Sequence, residues 1–385
     1  MKRLVGLLLV ALTVVLPVLA WADDHEGHHA PRIIEYEAPG AGTTEGLGTQ
    51  APGITPGGAV AGIYSDAGNV MHGFLRTPQG RLITFDAPGA GNTPGQVLSN
   101  TPAGVMGGQG TYAWSINPEG AIAGSYYDEF NVEHGFLRAH DGKFTTFDNP
   151  YAGIGPGQGT FAANINAAGV IFGYYFDSSN VAHGFLRAPD GKFVNFDAPW
   201  AGTVAGQGTY TGAASCINPE GAVTGFYFDA NGVAHGFVRA HDGHITTFDP
   251  QGAQGTYSWS INPEGAVTGL YVDAANVNHG FVRARHGHII VFDAPGAGTD
   301  AGQGTIGEGI AAGGAIAGNY IDKHGVNHGF VRAPDGKFTF FDAPSAGTCP
   351  GQGTIPLTIN AAGEVTGVYF DHEGVLHAFL RLAVP

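Results

Sequence analysis

An all-β fold, made of seven copies of a four-stranded antiparallel meander arranged in a ring, is what this sequence predicts, on three observations. The motif His-(Gly/Ala)-Phe-(Leu/Val)-Arg recurs at His72, His134, His183, His235, His279, His328 and His377, with 49 residues the recurring interval. Self-similarity on this scale marks a repeat architecture. The 385 residues include 65 glycines and 23 prolines, a turn-rich composition. Within each copy, short β-branched and aromatic runs alternate with breaks that end in glycine.

The elements follow in chain order. Met1 to Ala22 begin with Lys2 and Arg3, continue through an apolar run from Leu4 to Leu16, and finish in Ala20-Trp21-Ala22, a small-x-small cleavage pattern. This is the pattern of a secretory signal peptide over residues 1–22, and residues 23–31 then read as a flexible acidic, histidine-rich tail. No second long apolar stretch follows, so a secreted or periplasmic protein without a membrane span is expected. The absence of cysteine near the cleavage site argues against a lipid-anchored form.

Residues 32–385 carry the repeats. The copy from Ser215 to Pro250 parses as four strands separated by turns at Pro219-Glu220-Gly221, Ala230-Asn231-Gly232 and His241-Asp242-Gly243. Four strands joined by three tight hairpins make one blade, and seven radially closed blades make a seven-bladed β-propeller. An open β-solenoid is the competing arrangement. Linkers of the type Ala-Pro-Gly-Ala-Gly-x-x-x-Gly-Gln-Gly-Thr join the copies. The ends suggest how the ring closes: Arg32 to Pro39 is a lone fourth-strand copy, and the chain finishes on a third strand. Ile33 to Glu37 is therefore expected to pair with Val375 to Leu382 and complete the last blade.

Pro-Asp-Gly hairpins favour a three-residue loop with a left-handed glycine. That geometry sets each motif histidine opposite an acid: Asp86, Asp148, Asp197, Asp249, Asp293 and Asp342, with Glu37 facing His377 by the closure argument. The preceding hairpin sets Tyr64, Tyr126, Tyr175, Tyr227, Tyr271, Tyr320 and Tyr369 on the other side. Such a Tyr, His, carboxylate row can satisfy the imidazole on both sides while the sheets pack. A histidine oriented by an acid also suits a general base. No nucleophile accompanies all seven rows, and an enzyme has no use for seven identical sites, so the rows read as structural. The motif arginines, Arg76 to Arg381, are expected to be solvated or paired with nearby acids.

From about Arg32 to Arg381 the motif, with its His377-Ala378-Phe379 variant, resembles the HAF family of extracellular repeats. The logic of the rows is similar to that of WD40 propellers, although no Trp-Asp signature occurs. The resemblance implies an exported repeat protein and transfers no catalytic residue.

The formal charge is −16, and removal of Lys2 and Arg3 with the leader takes it to −18. Phosphate backbones are repelled at this charge, which excludes nucleic acid as the expected partner. A glycan, a small molecule or an extracellular protein fits better, bound by a monomer. Cys216 and Cys349, the two cysteines, do not amount to a disulfide framework.

Function in a symmetric scaffold is expected where the copies differ. The first strands carry Tyr112, Phe161, Tyr210 and Tyr257 in copies two to five, with Trp114 and Trp259 nearby, against Ile306, Ile355 and Gln50 elsewhere. Aromatic faces suit sugars or other flat ligands, and packing between blades explains the same residues. Tyr151 and Trp200, in the linkers to copies three and four, are further ligand-binding candidates. Glu308 is the one acid inserted in an inner strand, in the copy where Ala311 replaces the Asn of Asn117, Asn166, Asn218, Asn262 and Asn360. A carboxylate near a narrow channel could serve as a general base or cation ligand, or simply be solvated. The linker over Val97 to Gly108 is longer than its counterparts, a position that suits recognition or a tolerated insertion. Cleavage after Ala22 would leave Asp23-Asp24-His25 at the N-terminus, a square-planar set for Cu(II) or Ni(II); otherwise no cofactor is expected. These readings favour an exported binding module engaging its ligand on the linker-bearing face. The alternative is a propeller enzyme, such as a polysaccharide lyase or lactonase-like hydrolase, acting around Glu308. No Gly-x-Ser-x-Gly, His-Glu-x-x-His or Walker loop occurs.

Overall fold

The computed structural model describes residues 32–95, 108–212 and 215–383, which exclude the leader, the tail with Asp23, Asp24 and His25, and nearly all of the long linker. These residues form twenty-eight strands, β1 to β28 in chain order, and no helix. No helix among them is long and apolar enough to cross a membrane.

The third copy shows the pattern: β10 (Gly159–Ile165), β11 (Ile171–Phe176), β12 (Ala182–Arg187) and β13 (Phe193–Phe196) form an antiparallel meander, with Tyr175 opposite His183. The same Tyr–His register recurs in every copy. β1 (Ile33–Tyr36) pairs antiparallel with β28 (Leu376–Arg381), joining Ile33 to Arg381 and Tyr36 to Ala378, as the chain ends predict.

The phenylalanine of each motif is the core. Phe74, Phe136, Phe185, Phe237, Phe281, Phe330 and Phe379 are all fully buried, each contributing on the order of 2–3 kcal/mol of hydrophobic transfer. Copies touch through backbone, the first and last included. Gly48, which opens β2 (Gly48–Ile54), pairs with Leu376 of β28, and a Cβ there would lie 1.9 Å from the Leu376 carbonyl oxygen. Its φ of +130° likewise favours glycine.

The arginines differ from expectation. Among the described residues none of the seven pairs with an acid; each guanidinium lies 4.4–5.0 Å over an aromatic ring of another copy's outer strand, Arg187 over Phe147 and Arg138 over Phe85, for instance. Arg76 covers Tyr36 on β1. Stacking on the ring's negative face holds the cation where burial to 4–8% exposure of Arg76, Arg187, Arg239, Arg283 and Arg381 leaves little water.

A second tie runs between inner strands. Asn117 Nδ2 donates to the Asn166 carbonyl, Asn166 to Asn218, Asn218 to Asn262 and Asn262 to Ala311, at 3.2–3.4 Å. Asn360 donates to the Thr55 carbonyl at 3.0 Å, linking the last copy to the first. The repeated asparagine is thus a carboxamide chain from copy to copy, interrupted where Ala311 and Thr55 stand in its place.

Candidate ligand-binding face

Each motif histidine sits near the linker-bearing end of its copy. Its Nδ1 meets the expected aspartate at 2.7–2.9 Å in six copies, and His377 meets Glu37 in the seventh. The tyrosine does not hydrogen-bond the imidazole; it stacks on it, with ring centroids 4.8–5.1 Å apart. The second nitrogen, Nε2, instead faces the aspartate that opens the preceding turn, such as Asp128 or Asp177, at 3.1–3.8 Å. Hydrogen bonding to the acid at Nδ1 raises the pKa of His72, His134, His183 and His377 above the ordinary histidine value. With both ring nitrogens facing carboxylates, neither is left open toward a substrate proton, which supports the structural reading of the rows. The linker threonine extends the network: Thr256 donates to Asp249 at 2.6 Å and Thr49 to Glu37 at 2.7 Å.

The glutamine of Gly-Gln-Gly-Thr fastens the linkers. Gln158 Oε1 accepts from Gly155 N at 2.9 Å, while its Nε2 donates to the Ser178 carbonyl and to Asn180 Oδ1. Gln109 binds Thr93 N, the Glu129 carbonyl and Asn131 in the same manner. Linker side chains therefore project from a fixed platform.

The inner-strand aromatics are placed differently from the linker ones. Tyr112, Phe161 and Tyr210 are buried at 1%, 7% and 8% exposure. They belong to a staircase of rings through Tyr112, Trp114, Phe161, Tyr174, Tyr210, Phe226 and Tyr257, with centroids 4.8–5.6 Å apart. Their faces pack against neighbouring rings. Trp114, Tyr257 and Trp259 are half-buried. Trp114 and Trp259 occupy bulges in β6 (Gly110–Ile116) and β18 (Gly255–Ile261).

Glu308 occupies the equivalent bulge in β22 (Gly304–Ile310). It is 5% exposed, and burial pushes its carboxyl pKa up to about 8. A second buried acid, Glu133, accepts from Ser125 Oγ at 2.7 Å, and its pKa is pushed up to about 7, again by burial. Its signal in the sequence was a glutamate where the other copies have the uncharged Met71, Ala182, Ala234, Asn278, Asn327 and Leu376.

The linker aromatics, in contrast, are open to solvent: Tyr151 is 70% and Trp200 82% exposed. Phe130, Ile154 and Val204, at 66%, 88% and 60%, join them on the linkers and turns of copies two to four. Trp200 also holds a backbone φ of +73°, at the linker position occupied by Gly40, Gly89 and Gly296 with φ of +95°, +92° and +100°. A left-handed conformation costs a non-glycine residue about 1–2 kcal/mol. Beside these residues lie two grooves. One of about 420 Å3 is lined by Asn92, Tyr126, Asp128, Glu129, Phe130 and His134. The other, of about 280 Å3, is lined by Asp177, Ser179, His183, Asp197, Ala201 and Thr203.

Among the described residues no group of three or more His, Cys, Asp or Glu converges to hold a metal. The Cu(II) or Ni(II) set of Asp23, Asp24 and His25 lies outside them. Cys216 is buried, its Sγ donating to the Trp259 carbonyl at 3.2 Å, and Cys349 lies exposed on a linker.

No family model and no curated relative matches the chain, so the likeness to HAF repeats rests on the motif. Among solved structures, streptogramin B lyase is 14% identical over 91% of this chain and 98% of its own, with a TM-score of 0.53. A lectin from Burkholderia pseudomallei is 10% identical over 90% of this chain and 96% of its own, with a TM-score of 0.48. Identities this low speak to architecture alone. In architecture the chain is an all-β protein of the β-propeller kind.

Proposed function

We propose that residues 32–385 form a seven-bladed propeller, fastened by β1 on β28, and that the exported protein is a binding module whose linker-bearing face takes a glycan. The β1–β28 register and the Asn360–Thr55 hydrogen bond support the ring by linking the two ends of the repeat array, and the Arg76–Tyr36 stack holds the first copy onto β1. The binding reading is carried by Trp200, a solvent-exposed indole held at a φ that three sister linkers reach with glycine. Strain retained at an exposed aromatic gives no packing in return, and it points to a use in recognition. Indole faces cover the apolar face of a pyranose, and nearby carboxylates accept its hydroxyls.

The test is a glycan array followed by calorimetry on the full chain and Trp200→Ala. Binding that falls at least about tenfold in the variant is expected, roughly 1.4 kcal/mol. A wild type that binds no glycan, or a variant that binds as well as the wild type, refutes the reading. A second reading, a propeller enzyme, is favoured by Glu308, whose buried carboxyl stays protonated near neutral pH as a general acid requires. Turnover of a polysaccharide or lactone that is lost in Glu308→Gln and retained in Trp200→Ala would select it.

A further inference from the structure

We infer that the glycan is an extended, non-anionic chain lying across both grooves rather than a single sugar in one of them. The inference rests on the glycan reading of the linker face. The two grooves belong to successive copies, one beside His134 and one beside His183. Each has an exposed aromatic residue at hand: Phe130 lines the first, and Trp200 immediately precedes Ala201 of the second. The linker over residues 150–158 runs between them and supplies Tyr151 and Ile154, both exposed.

This strip is a single hydrogen-bonded platform. Gly157 N donates to the Asn131 carbonyl in the turn that carries Phe130, and Gln158 donates to Ser178 and Asn180 in the turn that borders the second groove. Gly206 N then ties the Trp200 linker to the Asn180 carbonyl. Aromatic and apolar groups are thus held in fixed relation over successive copies. A ligand long enough to touch both grooves meets the entropy of association once.

The chemistry of the grooves selects the chain's charge. Both imidazoles are already clasped: His134 by Asp148 and Asp128, His183 by Asp197 and Asp177. The charged groups left to meet a ligand are all carboxylates, with Glu129 in the first groove, beside the neutral polar groups of Asn92 and Tyr126 there and of Ser179 and Thr203 in the second. Carboxylates accept sugar hydroxyls and repel uronates and sulfates, the more so on a chain of net charge −16.

The experiment is calorimetric titration of the full chain with β-1,4-linked glucose and N-acetylglucosamine oligomers from monomer to hexamer, with an oligogalacturonate as the acidic probe. Phe130→Ala and Trp200→Ala are titrated alongside; both positions are exposed, and thermal melts verify that the variants are folded. For at least one neutral series, affinity is expected to rise tenfold or more from dimer to hexamer, about 1.4 kcal/mol. Each variant should weaken the hexamer about tenfold, and the acidic probe should not bind. Length-independent binding, tight binding of the oligogalacturonate, or a Phe130→Ala protein that binds the hexamer like the wild type overturns the two-groove chain while leaving the glycan reading standing. If no oligomer of either series binds, both fall.

Discussion

Replacing Glu308 by glutamine should make the protein more stable at neutral and alkaline pH, and the size of the gain can be worked from its surroundings. The carboxyl is 5% exposed, and its pKa is pushed from 4.5 to about 8 by burial alone. In the unfolded chain it loses its proton near 4.5, whereas the native protein keeps it until about pH 8. Between those values the native state binds one proton more than the unfolded state, so stability falls as pH rises, by about 1.4 kcal/mol per pH unit. The loss reaches about 3 kcal/mol at pH 7 and about 5 kcal/mol above pH 8. Glutamine does not titrate. The stability difference between Glu308→Gln and wild type should therefore be near its minimum below pH 4.5, climb through neutrality, and level off above pH 8. Glu133, whose pKa of about 7 acts in the same direction, is present in both proteins and cancels. So do the histidines with raised pKa, whose contribution is complete below pH 6.5 and is lost as pH rises through their folded values. Denaturant midpoints measured from pH 4.5 to 9 give the difference curve directly. A difference that is flat with pH, or that shrinks toward alkaline pH, would refute the assignment of Glu308 as a buried, desolvated acid.

Two further outcomes follow from the same geometry. Trp200→Gly should be more stable than Trp200→Ala by about 1 kcal/mol, because glycine adopts the φ of +73° without penalty while alanine retains the strain; equal melting temperatures would remove the case for strain. Deleting residues 32–37 strips β28 of its partner, Arg76 of the Tyr36 ring and His377 of Glu37. The expected loss is roughly 3–5 kcal/mol, read as a lower denaturant midpoint, and an unchanged midpoint would show that β1 does not fasten the array.

Much of the fold was legible because strand register follows from turn length. The Pro-Asp-Gly hairpins set His183 opposite Asp197, and the unpaired fourth-strand copy at the start of the array set Glu37 beside His377. Less legible were contacts that depend on which neighbour a side chain meets across copies. The stack of Arg187 on Phe147 joins two copies, and nothing in one repeat says that the guanidinium reaches a ring rather than an acid. The Asp128–His134 contact was hidden because a turn brings the aspartate back beside the imidazole, while the tyrosine, which looked like the second partner, offers its ring face. Of the site, Tyr151 and Trp200 stood out as bulky residues in linkers. For Tyr112, Phe161 and Tyr210 the sequence left ligand binding and packing between blades both open, since an alternating strand does not reveal that a ring staircase fills the space between inner strands. The backbone angle of Trp200 had one trace in the sequence, the glycine at the same place in Gly40, Gly89 and Gly296.

The interrupted carboxamide chain has a mechanical consequence. Side-chain rungs run without a gap from Asn117 to Ala311, and a single separate rung joins Asn360 to Thr55. Under tension, fracture should begin at the two rungless seams, one after Ala311 and one after Thr55. In the proposed ring, copies two to six would then move apart from the pair formed by the first and last repeats, the two groups staying tethered by the polypeptide.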